Sequence, residues 1–378
     1  MTEKTVVVVF PSIFSLNKIN SLISSISKIL QAKKQSFGKI QKNDSVIIID
    51  ASDPVFASSA ISSLFGVEKV AIATEVENRF NVVVSAIAKI GTNLLLNGER
   101  FYVKVEGQAT DYMPKDMELA ATSSLIEKTV SLQTKPGTEA NHDKLLYTYL
   151  TKSHAYVCIF IDKASGGVPH KSQNATILCC IYDELSAISC LQILKVGFDV
   201  KILVCYRNDS ELLNIVKIMN QILPRIDQTK VTLQFCKLKL DSLGSSNLLL
   251  KIAAITEILV SIAKINKIRR VSLAISPMIF PAWFVEYNAI RLFQKNLIPW
   301  FPLTGIDNSI FETAKEIGLE KHLSKIESLC RLKFTSKNIP KGKISKISQM
   351  ALKTRKSITI TIGPKNIHDI IDSLKSKH

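Results

Sequence analysis

The run Ile181-Tyr182-Asp183-Glu184-Leu185-Ser186 is where chemistry is first expected. It follows Ala175–Ile181, a mostly apolar stretch that reads as a strand buried on both faces. It leads into Glu184–Val196, which has helical spacing and stops at Gly197. A turn of this kind offers a helix N-terminus to a ligand, and phosphates are commonly held there. Asp183 and Glu184 also suit the start of a helix by themselves, without any ligand. A second strand ends at Ala274-Ile275-Ser276-Pro277 and is followed by Met278-Ile279-Phe280-Pro281-Ala282-Trp283-Phe284. In an open α/β sheet ligands sit beyond the C-terminal strand ends, so Ile181–Ser186 and Ser276–Trp283 mark the expected site.

The cysteines offer a different chemistry. There are seven: Cys158, Cys179, Cys180, Cys190, Cys205, Cys236 and Cys330. The count is odd and no CxxC occurs, so neither a disulfide framework nor a zinc or other metal site is expected. Most lie in apolar runs, where free Cys acts as a small hydrophobe. Cys236 ends a strand-like run and Cys330 stands apart, late in the chain. The plainer reading is that both are core thiols.

A third set of residues is basic. Arg100, Tyr102 and Lys104 alternate along one predicted strand and so share a face. Lys115, Lys163, His170 and Lys171 fall in predicted loops. Contacts from such residues to phosphate position an RNA without reading its sequence. A solvated strand face is the alternative.

The whole chain supports a polyanionic partner. Its 378 residues carry 49 Lys+Arg against 32 Asp+Glu, a net charge of +17. Arg331–His378 holds twelve Lys/Arg and two Asp/Glu, more than half of that net charge. Lys341, Lys343, Lys346, Lys353, Arg355 and Lys356 are expected to face RNA if this tail docks. A charged flexible end is the other possibility. Ser357–Ile362 reads as a strand and Asn366–Leu374 as a short helix. Val6–Phe10 is too short for a signal-peptide core. Leu248–Ile265 carries Lys251, Glu257 and Lys264, so it reads as a buried helix and not a membrane span. A cytoplasmic protein with no membrane association is expected.

The elements that position these residues follow from periodicity. Val6–Phe10, Ser15–Leu30, Ser45–Asp50, Pro54–Leu64 and Val67–Ala73 predict β-α-β-α-β, a small ferredoxin-like layer. Arg79–Leu95 and Met117–Ser131 predict helices, the second capped by Asp116, around a strand at Phe101–Val105. Leu145–Leu150 and Ala155–Ile161 are further strands, and Gly166-Gly167-Val168-Pro169 breaks regular structure. Beyond it, strands at Ala175–Ile181, Val200–Tyr206, Val231–Cys236 and Val271–Ile275 alternate with helices. This predicts a parallel, doubly wound sheet.

The order of these segments resembles the archaeal tRNA 4-thiouridine synthetase family. Phe65-Gly66-Val67-Glu68-Lys69-Val70, a helix, and then Arg100–Gly107 look like its passage from a ferredoxin-like domain into a THUMP domain. Ala155-Tyr156-Val157-Cys158 through Gly166-Gly167-Val168-Pro169 looks like the end of that THUMP domain. Pro299-Trp300-Phe301-Pro302-Leu303-Thr304-Gly305-Ile306-Asp307 and Ala314-Lys315-Glu316-Ile317-Gly318 are similar to the close of its catalytic domain. The resemblance implies an α/β protein of four segments. Residues 1–74 are ferredoxin-like, 75–168 THUMP, 169–330 a PP-loop ATP pyrophosphatase-like domain, and 331–378 a basic extension. It also implies tRNA as partner, ATP as cofactor of an active member, and dimers among relatives.

The departures from the family are chemical. Its Ser-Gly-Gly-x-Asp-Ser signature matches Ile181–Ser186, where both glycines are absent, Leu185 replaces the aspartate and Ser186 alone remains. The glycines let backbone N–H groups approach phosphate. Its Thr-Gly-Glu-Ser element matches the apolar stretch after Ser276. The implied remnants of a nucleotide site are Tyr182, Asp183, Ser186, Ser276, Gly305 and Asp307. The sulfur transfer that the resemblance implies would need a thiolate, for which Cys236 and Cys330 are the candidate catalytic pair. Cluster-binding relatives carry a late cysteine pair, whereas Lys237–Leu329 has no cysteine and Cys330 stands alone. Three readings stay open. One is a tRNA-binding adaptor that has lost ATP chemistry and assists a tRNA-modifying enzyme. The second is an active tRNA 4-thiouridine sulfurtransferase. The third is a protein–protein scaffold using Met278–Phe284.

Overall fold

A computed structural model describes residues 4–109, 111–240, 245–323, 334, 340–363 and 366–375. The chain divides into two compact units, Met1–Gly167 and Val168–His378. The break falls at the expected Gly-Gly-Val-Pro stretch, where Gly166 and Gly167 take φ of 61° and 75°.

The first unit runs β1 (Lys4–Pro11), α1 (Ile19–Ala32), β2 (Phe37–Asn43), β3 (Val46–Ala51), α2 (Pro54–Ser62) and β4 (Val67–Glu77). It continues through α3 (Phe80–Leu94), β5 (Arg100–Gly107), α4 (Pro114–Lys128), β6 (Lys135–Pro136), β7 (Lys144–Leu150) and β8 (His154–Gly166). The strands form one sheet in the order β2-β3-β1-β4-β8-β7-β5-β6. The consecutive valines of β1 explain its central place. Val7 and Val9 pack under the helices with Leu22, Ile26 and Ile61, while Val6 and Val8 pack on the other face with Tyr147 and Tyr156.

The expected boundary at residue 74 lies inside β4, which pairs with β1 through Thr5↔Thr74 and with β8 through Thr74↔Val157. One sheet therefore crosses that position, and residues up to Gly167 make a single unit. The helix over 114–128 also starts earlier than expected. Met113 occupies the cap position, Pro114 begins the helix, and Asp116 sits in the first turn instead of capping it.

The second unit is the expected α/β layer. It runs β9 (Thr176–Ile181), α5 (Glu184–Lys195), β10 (Asp199–Tyr206), α6 (Asp209–Ile222), β11 (Lys230–Lys237) and α7 (Ser245–Ile265). Then follow β12 (Arg270–Ser272), α8 (Ala282–Phe293), β13 (Ile298–Trp300), α9 (Asn308–Glu316), α10 (Lys341–Lys353), β14 (Lys356–Thr361) and α11 (Asn366–Lys375). The sheet order is β13-β12-β9-β10-β11-β14, parallel except for β14, which runs antiparallel to β11. The basic tail thus adds an edge strand, and α10 packs on α7 with Ile344, Ile347 and Ala351 buried. The chain moves from β9 to β10 and β11 on one side, then crosses to β12 and β13 on the other. That reversal places the crevice of the sheet at the C-terminal ends of β9 and β12.

Candidate functional site

The loop after β9 is closed by its own side chains. Asp183 caps α5, its Oδ1 accepting the Ser186 N–H at 2.8 Å. Ser186 Oγ reciprocates, accepting the N–H groups of Tyr182 at 2.8 Å and Asp183 at 2.9 Å and donating to the Asp183 carbonyl at 2.8 Å. In a phosphate-binding loop such N–H groups face the anion. Here they are turned onto a buried serine. A phosphate entering at this helix end would also meet the Asp183 carboxylate.

Tyr182 fills the crevice between β9 and β12. Its ring is buried, its hydroxyl donates to the Ala274 carbonyl at 3.4 Å, and burial pushes the phenol well above its usual range. The void beside it, lined by Cys180, Tyr182, Ala274 and Ile275, is only about 10 Å³. That is the size of one water position, against several hundred Å³ for a small-molecule site. Closed in this way, the loop does not offer the N–H groups of Tyr182 and Asp183 to a phosphate.

A buried cation lies beneath. Lys251 on α7 is 5% exposed; its Nζ donates to the Tyr182 carbonyl at 3.4 Å and stands 5.4 Å from the Tyr182 ring centre. Burial raises the Asp183 carboxyl, opposed by the Lys251 charge and by the hydrogen bonds from Ser186. Lys251 carries more of this site than its sequence suggested. Its signal was one lysine in the first turns of a largely apolar helix whose other charges, Glu257 and Lys264, come later.

Ser276 is buried, and its hydroxyl accepts the Met278 N–H at 3.2 Å, tightening the turn after β12. The apolar stretch that follows is partly buried. Ile279, Phe280 and Phe284 are buried, and Phe284 meets Phe280 and Trp283 at 5.7 Å. Met278 and Ala282 are exposed and Pro281 and Trp283 half-buried, so the stretch over 278–284 is part interior and part surface. Gly305 is exposed, and Asp307 caps α9 by accepting the N–H groups of Ser309 and Ile310. Hydrogen bonding lowers the Asp307 carboxyl as at any helix cap.

The thiols are interior. Cys205 and Cys236 are register partners on β10 and β11, and Cys205 also hydrogen-bonds Cys180 on β9. The Cys205 hydrogen bond and burial raise the Cys236 thiol far above its usual range. A buried, fully protonated thiol is a poor nucleophile. Cys330 lies outside the described residues. Among the described residues no group of three or more His, Cys, Asp or Glu is placed to hold a metal.

The expected RNA face on β5 exists as geometry but not as free charge. Phe101, Val103 and Val105 point inward while Arg100, Tyr102 and Lys104 share the other face. Arg100 forms a forked pair with Asp143 through Nε and Nη2, both at 3.0 Å. Lys104 Nζ lies 3.0 Å from Glu106 and 3.1 Å from Glu139, and Lys115 Nζ lies 2.6 Å from Glu118. The Tyr102 ring stands 5.7 Å from His142. Lys163 belongs to β8, not to a loop. His170 is 4% exposed and bound to Asp227 through Nδ1, so it is a packing residue and not a surface one. Lys171 is exposed, 3.9 Å from Asp199.

Unit 2 presents a different balance. Lys341, Lys343, Lys346 and Lys353 are exposed on α10 and make no ion pair among the described residues. Arg355 is half-buried, close enough to Cys236 for its charge to act on the thiol. Among the described residues no helix is long and apolar enough to cross a membrane.

No protein-family model matches the sequence, and no curated protein matches it. Solved structures do. PH1313 from Pyrococcus horikoshii Ot3 superimposes with a TM-score of 0.64 at 16% identity, over 83% of this chain and 100% of that one. A 4-thiouridine synthetase solved with RNA and bound ATP superimposes with a TM-score of 0.64 at 14% identity, over 95% of this chain and 100% of that one. At these identities the likeness is one of fold: a mixed α/β chain whose parallel, doubly wound half is built as in a 4-thiouridine synthetase.

Proposed function

We propose that this chain binds tRNA and serves tRNA modification without ATP pyrophosphatase chemistry of its own, the reaction being supplied by a separate modifying enzyme. The observation that carries the reading is the Ser186 hydroxyl, which takes up the N–H groups of Tyr182 and Asp183. A loop closed in this way has neither the donors nor the room for a polyphosphate. The RNA half is supported by the net charge of +17, by the unpaired lysines of α10, and by the fold shared with a synthetase solved with RNA.

Filter binding of tRNA over a salt series, with pyrophosphate release followed in the same mixtures, tests both halves. Four phosphate contacts from α10 alone predict that log affinity falls with log salt at a slope of about −3, and any further contacts make it steeper, with no ATP-dependent pyrophosphate. Absence of binding at low salt removes the RNA half. Pyrophosphate release that depends on tRNA removes the other.

A further inference from the structure

At the opposite end of the parallel sheet from the closed loop lies a basic groove. Its cavity is about 490 Å³, and its lining includes Lys201, Lys267, Arg269 and Arg270 with Thr176 and Asn266. Lys201 comes from the start of β10, Thr176 from the start of β9, and Arg270 from the start of β12. Asn266, Lys267 and Arg269 come from the turn between α7 and β12.

None of the four cations makes an ion pair among the described residues. That sets this place apart from β5, where Arg100 and Lys104 are each held by carboxylates. The nearby acid is already engaged: Asp199 accepts the Thr176 hydroxyl at 3.3 Å and lies 3.9 Å from Lys171 and 3.7 Å from His170. Arg270 is fixed by its guanidinium over the Phe198 ring, 5.6 Å from the ring centre. Four like charges gathered around one concavity repel each other, and this cost is relieved when an anion enters.

We propose that this groove is a binding site for the phosphate backbone of RNA. The proposal rests on the RNA-binding reading above and adds a place for it. Lys201 and Arg270 stand on strands either side of β9, two strand spacings or about 10 Å apart. That is wider than one phosphate group and suits consecutive phosphates of an extended chain. The groove is open, and Lys201, Lys267 and Arg269 are exposed. An open row of cations follows a backbone and does not enclose a small molecule.

The test compares salt slopes for tRNA binding by the full chain and two variants of equal charge loss. The site variant is Lys201→Gln, Lys267→Asn and Arg269→Gln. Asn is chosen at Lys267 because φ there is 54°, a region Asn tolerates. The control variant is Lys33→Gln, Lys39→Gln and Lys128→Gln. The site variant is expected to lose about 2–3 units of slope and the control less than 1. Equal losses, or no loss in the site variant, overturn the site. Failure of the unmodified chain to bind tRNA instead removes the RNA-binding reading itself.

Lysine acetylation on the unmodified chain gives an answer that does not depend on a variant folding. Bound tRNA should protect Lys201 and Lys267 at least threefold. Protection by inorganic tripolyphosphate at micromolar concentration, with none by tRNA, assigns the groove to a small polyanion and overturns the proposal.

Discussion

Lys251 Nζ lies 3.4 Å from the Tyr182 carbonyl oxygen, on the inner side of the loop that would otherwise face a ligand. Burial raises the neighbouring Asp183 carboxyl and the Lys251 charge opposes that rise. An acid whose folded pKa exceeds its unfolded value destabilises the fold as pH rises from the unfolded value of 3.8 to the folded one. In Lys251→Met the opposing charge is gone, so this window should extend to higher pH. In Asp183→Asn the window should vanish while the cap is kept. Urea unfolding of the variants at several pH values between 4 and 7 reads the difference.

Ser186→Ala removes the hydroxyl that holds the Tyr182 and Asp183 N–H groups. The loss of a cap and the stranding of these donors should cost about 2–4 kcal/mol. Equilibrium unfolding in urea measures it. A cost below about 0.5 kcal/mol would mean that the serine does not hold the loop.

The six thiols described are buried, and Cys180, Cys205 and Cys236 form a hydrogen-bonded row. None should react with a disulfide reagent in the native protein at neutral pH, and all six should react after unfolding. Rapid native labelling of Cys236, identified by peptide mapping, would restore it as a sulfur-transfer candidate.

The Arg100 pair offers a separate check on the β5 face. Hydrogen bonds from Arg100 hold the Asp143 carboxyl down at about 2, below its ordinary value of 3.8. A lowered folded value contributes stability that is full above pH 4 and lost as pH falls toward 2. An NMR titration should place Asp143 near 2 in the native chain and near its ordinary value in Arg100→Gln. Because Arg100 is already paired, this substitution should change tRNA affinity less than twofold. Lys341→Gln with Lys343→Gln and Lys346→Gln should lower the salt slope by about 2.

Much of this was legible in the sequence, for physical reasons. In the second unit β9 and the centre of β10 are apolar runs buried on both faces, and their alternation with helices gives the parallel sheet directly. The damaged loop was visible in its missing glycines. Its closure was not, because nothing in a residue type says that Ser186 turns inward onto Tyr182. The pairing of the β5 charges was hidden because Asp143 and Glu139, their partners, lie 43 and 35 residues away. Helix α10 was not foreseen since it opens on Lys341, Gly342 and Lys343, a poor helix start. It forms because Ile344, Ile347 and Ala351 pack as a stripe on α7. The single first unit was hidden because strand pairing across residue 74 leaves no local mark.

Under the proposed function the loop after β9 does not cradle a nucleotide. Titration calorimetry of the full chain with Mg·ATP tests it most directly. No heat of binding is expected up to millimolar ATP. Micromolar binding that is lost in Ser186→Ala would contradict it.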